Sequence, residues 1–470
     1  MQESGWPMNG NNEHLKTTPA SVVATSQQAG ETPARRDPLW WVERCVWTEA
    51  MWSRLASGEP ASQVWFRLWD KTYAPANLQR AYEKVRRNGG SAGADEQTLA
   101  HFERHAEREL QRLHEELRTG TYRPQPARRV WIPKPGSTEQ RPLGIPAVLG
   151  PHRARRAAAR PGTDLRDEHG RAQLRLPSRT RGQGRAAPHF EISNLKFQIS
   201  EAGHVHVVDA DLKSYFDTIP HERLMALVKQ RVADGRVLAL VESFLRAGVL
   251  EEARGWQATA RGTPQGGVIS PLLANLYLNP FDHQMAAAGW EMVRYADDFV
   301  ILCRSRAEAE AALDAVKAWV NEAGLQLHPD KTRLTDASVK GGGFDFLGYH
   351  FERGHRWPRE KSLKKIKDTL RGHTQRNQGR SWEEIVEGVN RSLRGWYEYY
   401  QHSVSNVFAP LDGYVRRRLR SLLEKRRGRT VQGKGTAHQR WPNEWLARHG
   451  LISLKALHDW KRTIVALRTH

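Results

Sequence analysis

The stretch that most constrains the fold runs from Val293 to Leu302 and places two adjacent acids between apolar flanks. Its letters are VRYADDFVIL, and flanks rich in β-branched and aromatic residues are typical of short buried strands. Asp297 and Asp298 suit the turn between two strands, because short acidic side chains bond their own backbone there. The stretch therefore predicts a hairpin with two carboxylates at its tip. The simpler alternative is an exposed turn whose acids are solvated.

The charge of the chain indicates a polyanionic partner. The 470 residues carry a formal net charge of +21, as is common in proteins that bind nucleic acid. An anionic membrane is the competing partner, but the sequence has no apolar run that could span a bilayer and no segment resembling a signal peptide. Cys45 and Cys303 form neither a disulfide framework nor a four-ligand zinc site, so we expect a reducing, cytoplasmic location.

The positive charge is concentrated in two regions, and the larger begins at Arg353. From there to the C-terminus, 27 Lys or Arg stand against 10 acids. Ser381 and Glu384 have the spacing of a helix capping box. A later predicted helix, Leu411 to Leu423, sets apolar residues opposite Arg416, Arg417, Arg418 and Arg420. A charged stripe is often only a solvated face, but the shortage of acids favours a nucleic-acid-binding face.

The second basic region, residues 151–190, does not have the composition of a folded segment. It holds ten Arg, no Lys and three acids, without a sustained helical or strand period, which is typical of a disordered linker. Codon degeneracy supports a sharper hypothesis. Codons for Gln173 to Pro188, read one nucleotide later, can spell SYGFRPGRGAKDALRR, and the stretch before it can spell an amphipathic helix. We therefore hypothesise that the gene is frameshifted here and returns to frame before about Gly203.

Three further segments have polar residues where apolar elements end. The segment from His204 to Asp211 reads as a buried strand that ends in acids, a frequent position for a metal ligand, although an Asp that caps the next helix is the alternative. Glycines and prolines from Ala260 to Pro271 predict a backbone held close to another group. The strand from Arg128 to Pro133 leads into basic residues that predict either a phosphate- or template-gripping strand pair or a plain hairpin.

In this order the motifs resemble those of reverse transcriptases of the group II intron maturase family. The matching strings are RPLGIP, VVDADLKSYFDTIPH, GTPQGGVISPLLANLYL, RYADDFVIL, GLQLHPDKT and FDFLGYHF. YADD alone is weakly specific, but YADD behind DLKSYFD and PQGG, with a basic helical region after it, is highly specific. The resemblance covers about residues 76–460. It implies an α+β fold: a right-hand polymerase, whose fingers and palm are built on an antiparallel sheet, followed by an α-helical thumb or maturase domain.

The resulting domain prediction has five parts. Residues 1–37 form a disordered N-terminal tail and residues 38–75 a helical extension. Residues 76–352 form the fingers and palm, of which 150–202 are aberrant. Residues 360–435 form the helical thumb or maturase-specific domain, and residues 436–470 a C-terminal extension.

The resemblance also implies roles for individual residues. Asp211, Asp297 and Asp298 are expected to be the catalytic carboxylates and the ligands of two Mg²⁺ ions, with Mn²⁺ as the substitute ion. Lys331 is expected behind the palm, in contact with nucleic acid. Residues that line the incoming nucleotide are expected to be Leu212 (through its carbonyl), Phe216 (beneath the sugar), Gln265, Gly266, Lys134 and Arg141.

Three functional hypotheses follow. The first is an RNA-directed DNA polymerase that also assists splicing and mobility of its host intron, with group II intron RNA, a DNA target or primer and dNTPs as partners, no membrane, and a homodimer left open. The second is a maturase that only binds RNA. The loss of a SYGFRPGR-like fingers block from the reading frame favours it and predicts impaired polymerase activity. The third, a stand-alone reverse transcriptase of a defence or diversity-generating system, is disfavoured by the RSLRGWYEYYQ stretch.

Overall fold

A computed structural model describes residues 64–89, 91–133, 140–147, 203–428 and 435–468, all within the unit Pro60–His470. The predicted N-terminal tail, most of the predicted N-terminal extension, Lys134 and the whole of the 150–202 segment lie outside these residues. Within the described part of the chain, no helix is both long and apolar enough to cross a membrane.

In the described part of the chain, four helices precede the first sheet. They are α1 (Trp69–Tyr73), α2 (Pro75–Asn88), α3 (Leu99–Arg104) and α4 (Ala106–Thr119). The charged pattern from Phe102 to Leu117 favours one continuous helix, but the structure divides it between α3 and α4. The chain leaves the helical conformation at His105, where φ is −126°, and resumes it in α4.

The first sheet joins two distant parts of the chain. Its strands are β1 (Ala127–Pro133), β2 (Gln140–Ile145), β4 (Val249–Glu251) and β5 (Gly255–Gln257), in the order β2-β1-β4-β5. The β1–β2 and β4–β5 pairs are antiparallel, whereas β1 and β4 are parallel. The RPLGIP motif lies on β2, so this sheet presents the basic strand pair predicted from the sequence.

The second sheet is antiparallel throughout and carries the acidic motifs. Its strands are β3 (His206–Asp211), β6 (Glu291–Tyr295), β7 (Asp298–Cys303) and β8 (Arg333–Asp336), in the order β6-β7-β3-β8. The helices between its strands are α5 (Tyr215–Thr218), α6 (His221–Lys229), α7 (Gly235–Arg246), α8 (Ser270–Ala287) and α9 (Arg306–Glu322).

The central strands β3 and β7 are buried on both faces, which explains the continuous apolar run Phe299–Cys303 of β7. On one face Val208, Ile301 and their alternating neighbours pack against the helices. On the other face Val207, Val300 and Leu302 pack against a third, smaller sheet.

The third sheet divides a segment whose alternating pattern favours a single strand. The segment Phe344–Phe351 is not one strand but a hairpin of β9 (Phe344–Phe346) and β10 (Tyr349–Glu352), and β10 pairs in turn with β11 (His355–Pro358). Leu347 and Gly348, with φ of 48° and 81°, form the two-residue turn. Alternation continues through such a turn, so the pattern alone did not reveal it.

The remaining helices form one bundle. They are α10 (Glu360–His373), α11 (Trp382–Tyr400), a 3₁₀ turn (Ser405–Val407), α12 (Phe408–Arg426), α13 (Thr436–Arg440), α14 (Asn443–Arg448) and α15 (Leu454–Arg468). The predicted capping box is confirmed, because Ser381 and Glu384 each bond the backbone of the other. Asp412 of α12 accepts from the backbone N–H groups of Leu454 and Lys455 at 2.9 and 3.1 Å. The C-terminal residues therefore share the core of this bundle.

Candidate active site

Three aspartates lie together at one end of the β3–β7 pair. Asp211 is the last residue of β3 and lies directly opposite Asp298, the first residue of β7. Asp297 immediately precedes β7 in the two-residue turn Ala296–Asp297. The predicted hairpin is thus confirmed, with one refinement: only Asp297 is in the turn, and Asp298 belongs to the strand ladder.

The carboxylates are partly buried and affect one another's ionisation. The pKa of Asp298 is raised to about 7, chiefly by burial and then by the negative charges of Asp209, Asp211 and Asp297. Burial also raises the pKa of Asp297, and the charge of Asp211 adds to this. These acids are therefore not the solvated side chains of an exposed turn, and a positive charge among them would be stabilising.

Lys331 supplies one such charge, and its position corrects an expectation. It was expected behind the palm, but its ammonium contacts the Asp211 carboxylate. The reason is a backbone bridge between Leu212 and Leu327, beside which the His328 N–H donates to the Asp211 carbonyl at 2.8 Å. The bridge holds the loop before β8 against the end of β3. Arg333, two residues further on, pairs with Asp209 at 3.0 Å.

The donor set suits a hard divalent cation, although it is not gathered into a finished site. Carboxylate oxygens are the ligands that Mg²⁺ prefers, and the mutual repulsion of the three aspartates is what a cation would relieve. Across the described ranges, no three His, Cys, Asp or Glu side chains are grouped closely enough to hold a metal ion. Lys331 contacts an oxygen of Asp211 that an ion would need.

Two predicted nucleotide contacts follow Asp211 in the chain. Leu212 and Leu327 form an antiparallel bridge in which the neighbouring residues make the hydrogen bonds. Here the Lys213 N–H donates to the Gln326 carbonyl at 2.8 Å. The Leu212 carbonyl therefore takes no part in that bridge. Phe216 lies in α5, partly buried, and its ring is 5.6 Å from that of Tyr215.

The PQGG loop, residues 262–267, lies against β2 of the first sheet and against helix α5. The Gly144 N–H of β2 donates to the Gln265 carbonyl at 2.5 Å. Gly266 has a φ of 107°, and a Cβ added there would overlap the Gly144 carbonyl oxygen. A glycine is required at this position both by conformation and by close approach. The same loop contacts α5, because the Thr263 N–H donates to the Phe216 carbonyl at 2.6 Å.

Lys134 and Arg141 are the two basic residues expected to line the incoming nucleotide, and only Arg141 lies in the described part of the chain. Arg141 lies exposed on β2, opposite Ile132 of β1. Its positive charge lowers the pKa of Asp297, against the effect of burial. Arg141 of the first sheet therefore favours the charged form of the Asp297 carboxyl.

Arg294 is a functional candidate that sequence reasoning missed. It belongs to the RYADD string but is buried, and its guanidinium bonds Asp282, Asn275 and the Ala296 carbonyl. The available signal was an arginine inside an otherwise apolar strand, since such a charge must have partners.

The predicted basic face of α12 is only partly correct. Arg417 is exposed and Arg416 partly so, as a nucleic-acid contact requires. Arg418 instead donates to the Thr374 carbonyl at 2.8 Å, at the C-terminal end of α10. Arg420 is 2% exposed and donates to the Trp441 carbonyl and to Asn443 at 2.8 and 2.9 Å. Arg420 is therefore a core residue. Exposed lysines of α10 add to the basic surface: Lys361, Lys364, Lys365 and Lys367.

Comparison with known proteins adds two family matches. Residues 132–351 match the model for reverse transcriptase (RNA-dependent DNA polymerase), and residues 363–441 match that for the group II intron, maturase-specific domain. The Escherichia coli protein YkfC is 34% identical over 285 residues, covering 52% of this chain and 71% of YkfC. The group II intron-encoded protein LtrA of Lactococcus lactis is 32% identical over 244 residues, covering 48% of this chain and 36% of LtrA.

The matches among solved structures include two with low TM-scores. The foamy viral protease-reverse transcriptase, solved with double-stranded DNA, has a TM-score of 0.33 and 14% identity, covering 75% of this chain and 47% of that one. Telomerase from Candida albicans has a TM-score of 0.31 and 13% identity, covering 53% and 48%.

Proposed function

The chain belongs to the reverse transcriptase family and carries a group II intron maturase-specific domain, and on that premise we propose that it is an RNA-directed DNA polymerase that also assists splicing and mobility of a group II intron. RNA and DNA are the partners that these two domains imply. The observation that carries the proposal is the register of β3 and β7, which sets Asp211 against Asp298 with Asp297 beside them. A cytoplasmic location is part of the proposal and is supported by the low cysteine content.

Reverse transcriptases use divalent metal ions, and we propose two Mg²⁺ ions here, with Mn²⁺ as the substitute. Asp211 and Asp297 would hold them, and Asp298 would add to the negative charge that attracts them. Bound ions of this kind lower the pKa of a primer 3′-hydroxyl and stabilise the leaving pyrophosphate. The residues of the chain have the complementary task of positioning the reactants and balancing charge.

The surrounding segments support a dNTP as the second substrate. Phe216 lies five residues after Asp211, and its carbonyl accepts from Thr263 of the PQGG loop. Gln265 and Gly266 lie between this aromatic residue and β2. We propose that Arg141, whose charge lowers the pKa of Asp297, contacts the phosphates. We propose that the sugar lies on Phe216 and that a 2′-hydroxyl would collide with its ring.

Primer extension tests the polymerase assignment. A DNA primer annealed to an RNA template is incubated with the purified chain, dNTPs and Mg²⁺, and the products are sized. Asp297→Asn should reduce extension by at least about 100-fold, whereas Asp330→Asn, an exposed acid on the neighbouring loop, should leave it unchanged. Equal extension by the wild type and Asp297→Asn would refute the assignment of the site.

The composition of residues 151–190 favours a second candidate, an RNA-binding maturase with impaired polymerase activity. A companion chain in which this segment is replaced by the shifted-frame translation separates the two. Extension by the companion but not by the printed chain would support the frameshift hypothesis. Splicing assistance by both chains without extension by either would support the maturase alone. Robust cDNA synthesis by the wild-type chain would refute the hypothesis that its polymerase activity is impaired.

A further inference from the structure

Arg294 is buried in the strand that leads to the acidic turn, and no role given above uses it. Its side chain is 3% exposed. The Nε atom donates to one carboxylate oxygen of Asp282 at 2.6 Å, and Nη2 donates to the other. The remaining nitrogen, Nη1, donates to Asn275 Oδ1 at 3.1 Å and to the Ala296 carbonyl at 2.7 Å. One guanidinium therefore joins α8 to the turn.

The helix that holds the two side-chain partners of Arg294 also contacts the other motifs. Asn275 and Asp282 are seven residues apart, so they lie on one face of α8, two turns from each other. The hydroxyl of Ser270, at the start of α8, donates to the Pro264 carbonyl of the PQGG loop at 2.8 Å. Tyr215 of α5 donates to the Ala274 carbonyl at 2.5 Å. Helix α8 therefore holds the PQGG loop, α5 and the acidic turn in fixed positions relative to one another.

The turn needs the support of α8 because the backbone conformation of the turn is itself unfavourable. Ala296 has a φ of 57°, a region that disfavours residues with a Cβ. The Ala296 carbonyl that Arg294 bonds belongs to the peptide group preceding Asp297. Loss of that bond would let the peptide rotate, and the Asp297 carboxylate would move with it.

We propose that Arg294 is a positioning residue that fixes the Ala296–Asp297 peptide against α8 and thereby sets the place of the Asp297 carboxylate relative to Asp211 and the PQGG loop. The proposal rests on the proposed function, because that placement matters for holding a divalent cation. A lysine cannot replace the arginine, since an ammonium lacks the planar fork that grips both oxygens of Asp282 while a third nitrogen reaches the turn.

The test compares Arg294→Lys and Asn275→Ala with the wild-type chain in three measurements. Mn²⁺ binding is titrated by electron paramagnetic resonance without nucleic acid or nucleotide, thermal unfolding is followed in the same buffer, and kcat and KM for dTTP are measured in primer extension. Both variants should bind Mn²⁺ about tenfold more weakly. They should lower kcat and leave KM for dTTP within twofold of wild type. Asn275→Ala removes one bond only and keeps the test valid if Arg294→Lys fails to fold.

Arg420→Met is the matched control, because it removes another buried, hydrogen-bonded arginine far along the chain. It should lower Tm without changing Mn²⁺ affinity or kcat. The proposal is overturned if Asn275→Ala and Arg294→Lys lower Tm alone, with Mn²⁺ affinity within twofold of wild type. A wild type that binds Mn²⁺ but extends no primer would contradict the proposed polymerase; the Mn²⁺ titrations of the variants would still decide the role of Arg294.

Discussion

Asp211 and Asp298 lie directly opposite each other on neighbouring antiparallel strands, and Asp297 adjoins them from the turn. Like charges so placed destabilise the fold unless a cation is present. At pH 8, above the Asp298 pKa of about 7, Asp298→Asn should stabilise the chain in EDTA by roughly 1–2 kcal/mol. The same substitution should reduce the rise in Tm that Mg²⁺ causes.

Differential scanning fluorimetry with and without Mg²⁺ measures both effects. Asp330→Asn, which removes an exposed acid nearby, serves as the control and should change neither. A lower Tm for Asp298→Asn in EDTA would contradict the view that the three carboxylates repel one another.

Gly266 offers a prediction about the contact between the PQGG loop and β2. Gly266→Ala places a Cβ at a φ of 107° and against the Gly144 carbonyl, so it should destabilise the chain by about 1–3 kcal/mol and raise KM for dNTPs. Gly395→Ala is the matched control, because a Cβ there meets nothing within 4 Å on helix α11; it should stabilise by about 0.5–1 kcal/mol. Chemical denaturation and extension kinetics provide the measurements. An unchanged KM for dNTPs in Gly266→Ala would contradict a role of the PQGG loop in nucleotide binding.

Asp412 offers a prediction about the C-terminal helix. Its carboxylate accepts from two backbone N–H groups at the start of α15 and from the Ser453 hydroxyl at 2.7 Å. Asp412→Ala should cost about 1–3 kcal/mol and increase hydrogen exchange of the amides in α15. Asp368→Ala removes an exposed acid whose partner is one helical turn away and should cost under about 0.5 kcal/mol. Unchanged exchange in α15 would show that the cap does not hold this helix.

The sequence was most informative where local pattern and local structure coincide. The acidic hairpin, the capping box at Ser381 and the strand ending at Asp211 each depend on residues within a few positions of one another. Their composition therefore predicted them.

The predictions from sequence were wrong or incomplete where contacts between distant segments of the chain determine the position of a side chain. Arg420 looks like part of a charged stripe, but its burial is favourable because Trp441 and Asn443 accept its hydrogen bonds. Lys331 reaches Asp211 because Leu327 pairs with Leu212. Arg294 is satisfied by a helix that ends several residues before it. None of these long-range pairings has a periodic signal in the chain.

Arg417 and Arg420 should separate nucleic-acid binding from folding. Arg417 is exposed on α12, whereas Arg420, on the same helix, is buried against residues 441–443. Arg417→Ala should leave Tm unchanged and reduce the slope of log affinity against log salt by about 0.7–0.9. Arg420→Ala should lower Tm instead. Fluorescence anisotropy with RNA at several salt concentrations measures the slope, and an unchanged slope for Arg417→Ala would remove that residue from the RNA-binding face.

His458 makes the stability of the helical bundle depend on pH. It is buried, its ring lies 4.6 Å from that of Phe408, and its pKa is lowered, chiefly by burial and then by the charge of Arg462. The folded state therefore disfavours the protonated ring. The neutral His458 ring contributes its full stabilisation above the ordinary histidine pKa of about 6.5. This stabilisation is lost as the pH falls below that value, because the unfolded chain then binds more protons than the folded chain.

The difference in Tm between pH 7.5 and pH 5.5 should accordingly shrink in His458→Phe, by roughly 1–3 °C, since phenylalanine keeps the ring against Phe408 but cannot bind a proton. His283→Phe, at an exposed position on α8, is the control and should leave the difference as in the wild type. An undiminished difference in His458→Phe would mean that other groups set the acid sensitivity of the bundle. His373 of α10, whose pKa is also lowered, chiefly by burial and then by Arg380 and Arg391, would be the next residue to replace.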